Sequence, residues 1–211
     1  MYWNYLLSSY RCLIPGSGVN IKKWKYLDYP PEDNGIVFLF VARIIKEKGI
    51  EEFLKCAESV RAKYPNAFFN VVGPCDGDYK DMLEEFENRG IIKYYGETQD
   101  TAAFIKNAHC LIHPSYYPEG VSNVCLEAAA CGRPVITTDN LGCKKTVDNG
   151  ITGYIFPAKG LNALIYDVEI FINSSFENKR DMGKRARQKM VDEFDREIVL
   201  DAYEEKIAKM I

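Results

Sequence analysis

The sequence predicts an α/β fold, an open parallel sheet covered by helices on both faces. Three observations carry this reading. Short apolar runs, such as residues 36–42 and 108–113, alternate with longer stretches of helical periodicity. Runs that are apolar at every position suit strands buried on both faces, as in parallel sheets. The strand–helix alternation continues through the whole chain, which is the pattern of doubly wound, Rossmann-like folds.

Residues 36–42, Ile-Val-Phe-Leu-Phe-Val-Ala, form the first strand. A helix follows over 51–63, where Phe53, Leu54, Ala57 and Val60 share one face. Residues 68–73 make the second strand, stopped by Gly73-Pro74. Over 79–88, Met82, Leu83 and Phe86 are spaced for burial on a helix. A short strand spans 91–95 and a helix 98–107. Residues 108–113 form a strand, 121–131 a helix rich in small and apolar residues, and 135–138 a strand. A short helix is expected over 144–149, then a strand at 154–156 closed by Pro157. Helices over 161–172, 176–193 and 196–210 complete the chain. Pro30-Pro31-Glu32-Asp33-Asn34-Gly35 reads as a loop or linker. In open parallel sheets ligands bind beyond the carboxyl ends of the strands. Glycines and charges gather there, after Val41, Val72, Ile112 and Thr137.

At 211 residues the chain fits one domain large enough to bury a core. Apolar content of 47% and charged content of 27% are ordinary globular values. A net charge of −3 argues against nucleic acid as partner, because such footprints are basic. Lys179-Arg180 with Lys184-Arg185-Ala186-Arg187 reads as the solvated face of a late helix. The seven cysteines are odd in number, lack Cys-x-x-Cys spacing and sit mostly in apolar or helical runs. Free cysteines there pack as small hydrophobes, and a reducing, cytoplasmic compartment is expected. No run approaches about 18 apolar residues, so no transmembrane helix is expected. The opening Met1-Tyr2-Trp3-Asn4-Tyr5-Leu6-Leu7 lacks a basic n-region and does not read as a signal peptide. It reads as the tail of an upstream domain, with an interfacial patch as the alternative.

Chemistry concentrates on Glu119 and Glu127. They stand eight residues apart, one at a helix entrance and one further in. The axial separation is roughly 12 Å at about 1.5 Å per residue, the length of a nucleoside diphosphate. A ligand along this helix can touch a carboxylate at each end and leave phosphates near the first-turn N–H groups. Arg43 and Lys48 follow the first strand, and cations there can hold a diphosphate. His109 and His113 flank one strand and point to one face. They read as partly buried core histidines rather than metal ligands, because no carboxylate cluster accompanies them.

Pro114-Ser115, Glu119-Gly120, Glu127-Ala128 and Gly132-Arg133-Pro134-Val135-Ile136 together resemble the donor-site signature of retaining glycosyltransferases of the family-4 type, which have the GT-B fold. Ile14-Pro15-Gly16-Ser17-Gly18-Val19-Asn20, Val41-Ala42-Arg43 continuing to Lys48-Gly49, and Gly150-Ile151-Thr152-Gly153-Tyr154 are similar to further family segments, in the family's order. The resemblance covers nearly the whole chain but only the C-terminal, nucleotide-sugar-binding half of such an enzyme. It implies a division into an N-terminal segment and linker remnant (1–34), a donor-binding domain (35–193) and a C-terminal helix (194–211) that crosses to a missing N-terminal domain.

The resemblance also implies roles. Arg43 and Lys48 stabilise the departing diphosphate, and Glu119 places the sugar. Glu127 holds the ribose hydroxyls, and Gly120, Val121 and Ser122 offer N–H groups to the phosphates. Gly16 and Gly18 belong to the loop entering the domain, and Gly73 lines the base or phosphate pocket. The donor, expected to be UDP-linked, is a substrate, and no metal or other cofactor is required. The missing half contacts a carbohydrate or lipid-linked acceptor, with peripheral contact to the inner face of the membrane in the full enzyme. Asn140-Leu141-Gly142-Cys143-Lys144-Lys145 departs from the commoner pattern, with Lys145 where Glu is common. It is similar to a bacterial surface-polysaccharide subgroup close to enzymes that add hexosamine to lipid-linked diphosphosugars. Gly73-Pro74-Cys75-Asp76-Gly77 likewise departs from the commoner Gly-x-Gly. Two other readings stay open: a non-catalytic nucleotide-binding module docking on a separate N-terminal subunit, and a dinucleotide-dependent oxidoreductase. The second lacks its fingerprint, because residue 21 is Ile where Gly-x-Gly-x-x-Gly needs its last glycine.

Overall fold

The computed structural model describes residues 16–118 and 120–208. Among them six strands form one sheet: β1 (Ile36–Val41), β2 (Ala67–Val72), β3 (Lys93–Tyr94), β4 (Cys110–His113), β5 (Val135–Thr138) and β6 (Gly153–Phe156). The helices are α1 (Ile50–Lys63), α2 (Lys80–Asn88), α3 (Thr101–Asn107), α4 (Asn123–Ala130), α5 (Leu141–Lys144), α6 (Leu161–Asn173), α7 (Phe176–Glu193) and α8 (Arg196–Ala208). The strand order is β3-β2-β1-β4-β5-β6, and all the pairings are parallel. The chain steps outward from β1 to β3, then returns to add β4 on β1's other side. Such a reversal opens a crevice beyond the carboxyl ends of the two strands where it occurs, here β1 and β4.

Alternation along β1 builds two apolar layers. Phe38 and Phe40 pack on one face with Phe53, Phe69 and Phe171. Leu39 packs on the other with Leu111, Leu126 and Val135. The small residues Ala128, Ala129 and Ala130 of α4 are buried in this second layer. Nearby, a Cβ built on Gly183 of α7 would fall 2.1 Å from the Gly132 carbonyl oxygen. Only glycine permits that approach.

Several boundaries differ from expectation for local reasons. The short helix expected at 144–149 lies at Leu141–Lys144, because the Asn140 carbonyl accepts the N–H groups of both Cys143 and Lys144. The residues beyond it turn instead: Thr146 Oγ1 donates to the Cys143 carbonyl, and the Asp148 N–H donates to Thr152 Oγ1. β3 has two residues rather than five, and Ile91 and Ile92 enter the core instead of the ladder. α3 starts at Thr101, where the Asp100 carboxylate accepts the Ala103 N–H. α4 starts two residues later than expected, at Asn123. α8 is described to Ala208, so the last residues of the expected 196–210 helix lie outside the described residues. The same holds for Ile14, Pro15, Cys12 and the opening segment.

The basic cluster on α7 is not a uniformly solvated face. Lys184 and Arg185 are exposed, but Lys179 is buried and its ammonium donates to both carboxylate oxygens of Glu32, at 3.0 and 2.9 Å. Arg187 donates to the carbonyls of Trp24, Ala130 and Ile21. The reason is tertiary. Residues 19–34 run across the domain, burying Val19, Trp24 and Tyr29, and α7 lies beneath them. Arg133 fastens the same segment: it is fully buried and donates to the carbonyls of Leu27, Asp28, Ile105 and Lys106. Val19 is bridged to the start of α8, its N–H donating to Phe194 O and its carbonyl accepting from Arg196 N–H. Six of the cysteines are free, and all of these but the half-buried Cys75 are buried. Among the described residues no helix is long and apolar enough to cross a membrane.

Candidate functional site

The crevice is built from the loops that follow β1, β2, β4 and β5. Arg43 follows β1 and is exposed. Gly73, at the end of β2, lies against Ala42: a Cβ there would fall 1.8 Å from the Ala42 carbonyl oxygen. The Ile44 N–H donates to the Pro74 carbonyl at 2.9 Å. These contacts hold Arg43 beside Gly73.

Lys48 ends a 3₁₀ turn (Lys46–Lys48) and precedes Gly49, whose φ of 77° starts α1. The loop after β4 crosses this turn. The Tyr116 and Tyr117 N–H groups both donate to the Glu47 carbonyl, at 2.9 and 3.0 Å. The Lys48 ammonium stands 4.9 Å from the Tyr117 ring centroid. From the other side, Asn140 Nδ2 donates to the Tyr117 carbonyl at 2.7 Å, and Thr138 Oγ1 donates to the Ser115 carbonyl. The loops after β1, β4 and β5 thus form one continuous rim. Glu119, on the same loop as the two tyrosines, lies outside the described residues.

The start of α4 makes the next part of the crevice. Gly120 is exposed and Val121 half-buried. A Cβ on Gly16 would fall 2.8 Å from Val121 Cγ2, so the loop at 16–18 packs on this helix start. Ser17 Oγ donates to Asn123 Oδ1 at 2.7 Å. Ser122 is buried, with its hydroxyl 3.1 Å from His113 Nε2. Its N–H donates to the Gly142 carbonyl at 3.3 Å, so this group, expected to face phosphate, has a protein acceptor.

Glu127 lines a small cleft with Ser17, Gly18, Asn20, Trp24, Asn123 and Arg196. Burial pushes its carboxyl pKa above the ordinary value, while the Lys23 and Arg196 cations pull it down. Gly18 fits against Arg196, where a Cβ would sit 2.9 Å from the Arg196 Cα. Among the expected residues Arg43 thus meets Gly73, Gly16 packs on Val121, and Gly18 and Glu127 line one cleft, while Lys48 stands over Tyr117.

The histidines are more buried than expected, at 3% and 2% exposure for His109 and His113. His109 Nδ1 accepts the Val37 N–H at 2.9 Å, which leaves Nε2 as the donor toward the Pro31 carbonyl at 3.3 Å. Burial holds its pKa down, so it is a neutral structural group. Among the described residues no group of three or more His, Cys, Asp or Glu is arranged to hold a metal ion. Sequence reasoning missed the contacts of Arg196 with Gly18 and of Asn140 with Tyr117. The partners lie far apart along the chain, and no local pattern marks such contacts.

The arrangement suits an elongated ligand with an anionic centre. Exposed Arg43 and half-buried Lys48 supply positive charge, the α4 start favours anions, and Glu127 can accept from hydroxyls about one turn further along α4, because the helix begins at Asn123 and not at the loop carrying Glu119.

The family model for Glycosyl transferases group 1 matches residues 25–189. A Campylobacter jejuni N,N'-diacetylbacillosaminyl-diphospho-undecaprenol alpha-1,3-N-acetylgalactosaminyltransferase is 27% identical over 206 residues, covering 91% of this chain and 52% of that protein. The Staphylococcus aureus capsular polysaccharide biosynthesis glycosyltransferase CapM is 29% identical, covering 82% and 46%. The chain thus spans about half the length of the curated relatives it matches. Among solved structures, Anabaena HepE in complex with UDP superposes with a TM-score of 0.78 at 18% identity, over 91% of this chain and 56% of that one.

Proposed function

The chain belongs to the group 1 glycosyl transferases, and on that premise we propose that it is the donor-binding half of a retaining enzyme that uses a nucleoside-diphosphate sugar, UDP-linked, in bacterial polysaccharide or lipopolysaccharide synthesis. The family-4 type and the GT-B pairing with an N-terminal domain are part of this proposal. Arg43 and Lys48 stabilise the departing diphosphate. Glu119 places the sugar, and Glu127 holds the ribose. The bond from the anomeric carbon to the phosphate oxygen breaks, a bond to the acceptor hydroxyl oxygen forms on the same face, and the hydroxyl proton passes to the departing diphosphate. The acceptor is a carbohydrate or lipid-linked diphosphosugar, and hexose or hexosamine is transferred. No metal enters the scheme. The enzyme works in the cytoplasm, at the inner face of the membrane.

The observation that supports it best is the joined rim. Glu47 binds the Tyr116 and Tyr117 amides, and this sets the Arg43–Lys48 segment beside the chain leading to Gly120 and α4. The relatives' activities, on an undecaprenol-linked diphosphosugar and in capsular polysaccharide synthesis, support the acceptor class. HepE's complex with UDP supports the donor.

Calorimetric titration with UDP, GDP and NAD tests the reading, with Arg43→Ala and Glu127→Ala as controls. UDP binding lost in both variants is the expected result. Binding that survives both substitutions, or a preference for NAD, overturns it. A second reading, a non-catalytic module docked on a separate N-terminal subunit, draws on the exposed Ile198, Leu200, Tyr203 and Ile207 of α8. Particle size with and without a candidate N-terminal subunit separates the two.

A further inference from the structure

Two consecutive tyrosines on the loop after β4 each carry a lysine ammonium on the ring. Lys48 stands 4.9 Å from the Tyr117 centroid, and Lys159 stands 4.5 Å from the Tyr116 centroid. The lysines arrive from opposite sides, because β1 lies on one side of β4 and β6 beyond β5 on the other. Lys48 follows β1, and Lys159 sits in the turn between β6 and α6.

The backbone at Lys159 is unusual. Its φ of 64° makes it the one non-glycine residue with positive φ among the described residues. A lysine there carries strain that a glycine would not. The turn is pinned on both sides. The Ala158 N–H donates to Asp139 Oδ1 at 2.9 Å, and the Gly160 N–H donates to the Pro157 carbonyl at 2.8 Å. A strained residue held by its surroundings calls for a reason in its side chain. Here the side chain is exposed, and its ammonium lies over Tyr116. Tyr116 itself is half-buried, and burial raises its phenol pKa, with the carboxylates of Glu52, Glu47 and Glu51 adding to the rise. The ring thus lies between carboxylates of the β1–α1 region and one cation from the β6–α6 turn.

We infer that Lys159 is a positioning residue of the donor site: acting through Tyr116, it holds the loop after β4 against the loop after β1. The inference rests on the donor-site reading above. The loop's hydrogen bonds to the Glu47 carbonyl fix one edge, and on the other the Lys159 contact with Tyr116 adds to the hydrogen bonds from Asn140 and Thr138. The residue touches the loop and not the donor, so its effect reaches the ligand through the shape of the rim.

The test uses Lys159→Ala, Lys159→Gly and Lys159→Arg in the full chain. Hydrogen exchange at the Tyr116 and Tyr117 amides reads the clasp directly, and UDP titration reads the consequence. Exchange should quicken in the Ala and Gly variants and return to the original rate with Arg, which keeps a cation over the ring. UDP should bind on the order of two- to fivefold more weakly in Ala and Gly, the size of one cation–π contact. The Gly variant should melt no lower than the original chain, because it relieves the backbone strain. Weakened binding in Gly is then not a folding defect. Unchanged exchange overturns the inference. So does quickened exchange with unchanged UDP affinity. If the original chain binds no UDP, the donor reading fails by itself, and the exchange rates alone decide whether the clasp exists.

Discussion

Gly49 lies against Pro114 so closely that a Cβ on it would fall 2.3 Å from the Pro114 carbonyl oxygen. This contact joins the start of α1 to the loop after β4, and so sets the width of the crevice between β1 and β4. Gly49 has the left-handed φ of 77° that L side chains avoid.

Gly49→Ala should therefore destabilise the domain by roughly 2–3 kcal/mol, from backbone strain and displacement of Pro114. For a chain of this size that lowers the melting temperature by about 4–12 °C. Differential scanning calorimetry measures it. A melting point within a degree of the original would contradict the packing described.

Arg133 donates to four carbonyls outside its own turn while fully buried. Arg133→Ala strands those acceptors and leaves a cavity, with an expected loss of about 3–5 kcal/mol. Arg133→Lys should recover only part, because an ammonium has three donors and no planar fork. Urea denaturation midpoints order the three proteins. Equal midpoints for Lys and Arg would show that the fork geometry is dispensable.

Glu127 is half-buried, and burial raises its carboxyl pKa above the ordinary 4.5. In the proposed role only the ionised form accepts hydrogen bonds from ribose hydroxyls on both oxygens. UDP affinity should therefore fall as the pH is lowered toward that raised pKa. Glu127→Gln should bind about tenfold more weakly at neutral pH, the cost of one charge-assisted hydrogen bond. The nucleotide's own phosphate titrates identically in both experiments and cancels in their ratio. A ratio that stays constant with pH would remove Glu127 from the binding site.

Asp167 on α6 is half-buried, and burial raises its pKa from the ordinary 3.8 to about 6. Between those values the folded protein retains a proton that the unfolded chain has released. Stability from this group is thus highest at low pH and declines as the pH climbs from about 3.8 to about 6. The decline is on the order of 1 kcal/mol once solvent screening is counted. Asp167→Asn should abolish this component and be the more stable protein above pH ~6. Chemical denaturation across that pH range checks both the sign and the window.

Residue order was sufficient for the strand–helix alternation and the parallel sheet, because buried strands and amphipathic helices leave periodic apolar patterns. The helix at Phe176–Glu193 falls where expected, since Ser175 caps its first turn and its apolar spacing is regular. Glycines at sharp turns were legible for the same reason: a local backbone demand shows in a local residue choice. Gly73 ends the second strand as its pairing with Pro74 implied. What lay beyond reach were pairings across long separations. Lys179 with Glu32 and Arg187 with the carbonyls of Ile21 and Trp24 read as surface charges until folding brings their partners near, and nothing local marks Lys159 for Tyr116. Charge alone does not tell a solvated lysine from one held against a carboxylate or a ring. The difference is the desolvation and geometry that packing imposes, and these exist only once the sheet has placed its loops side by side.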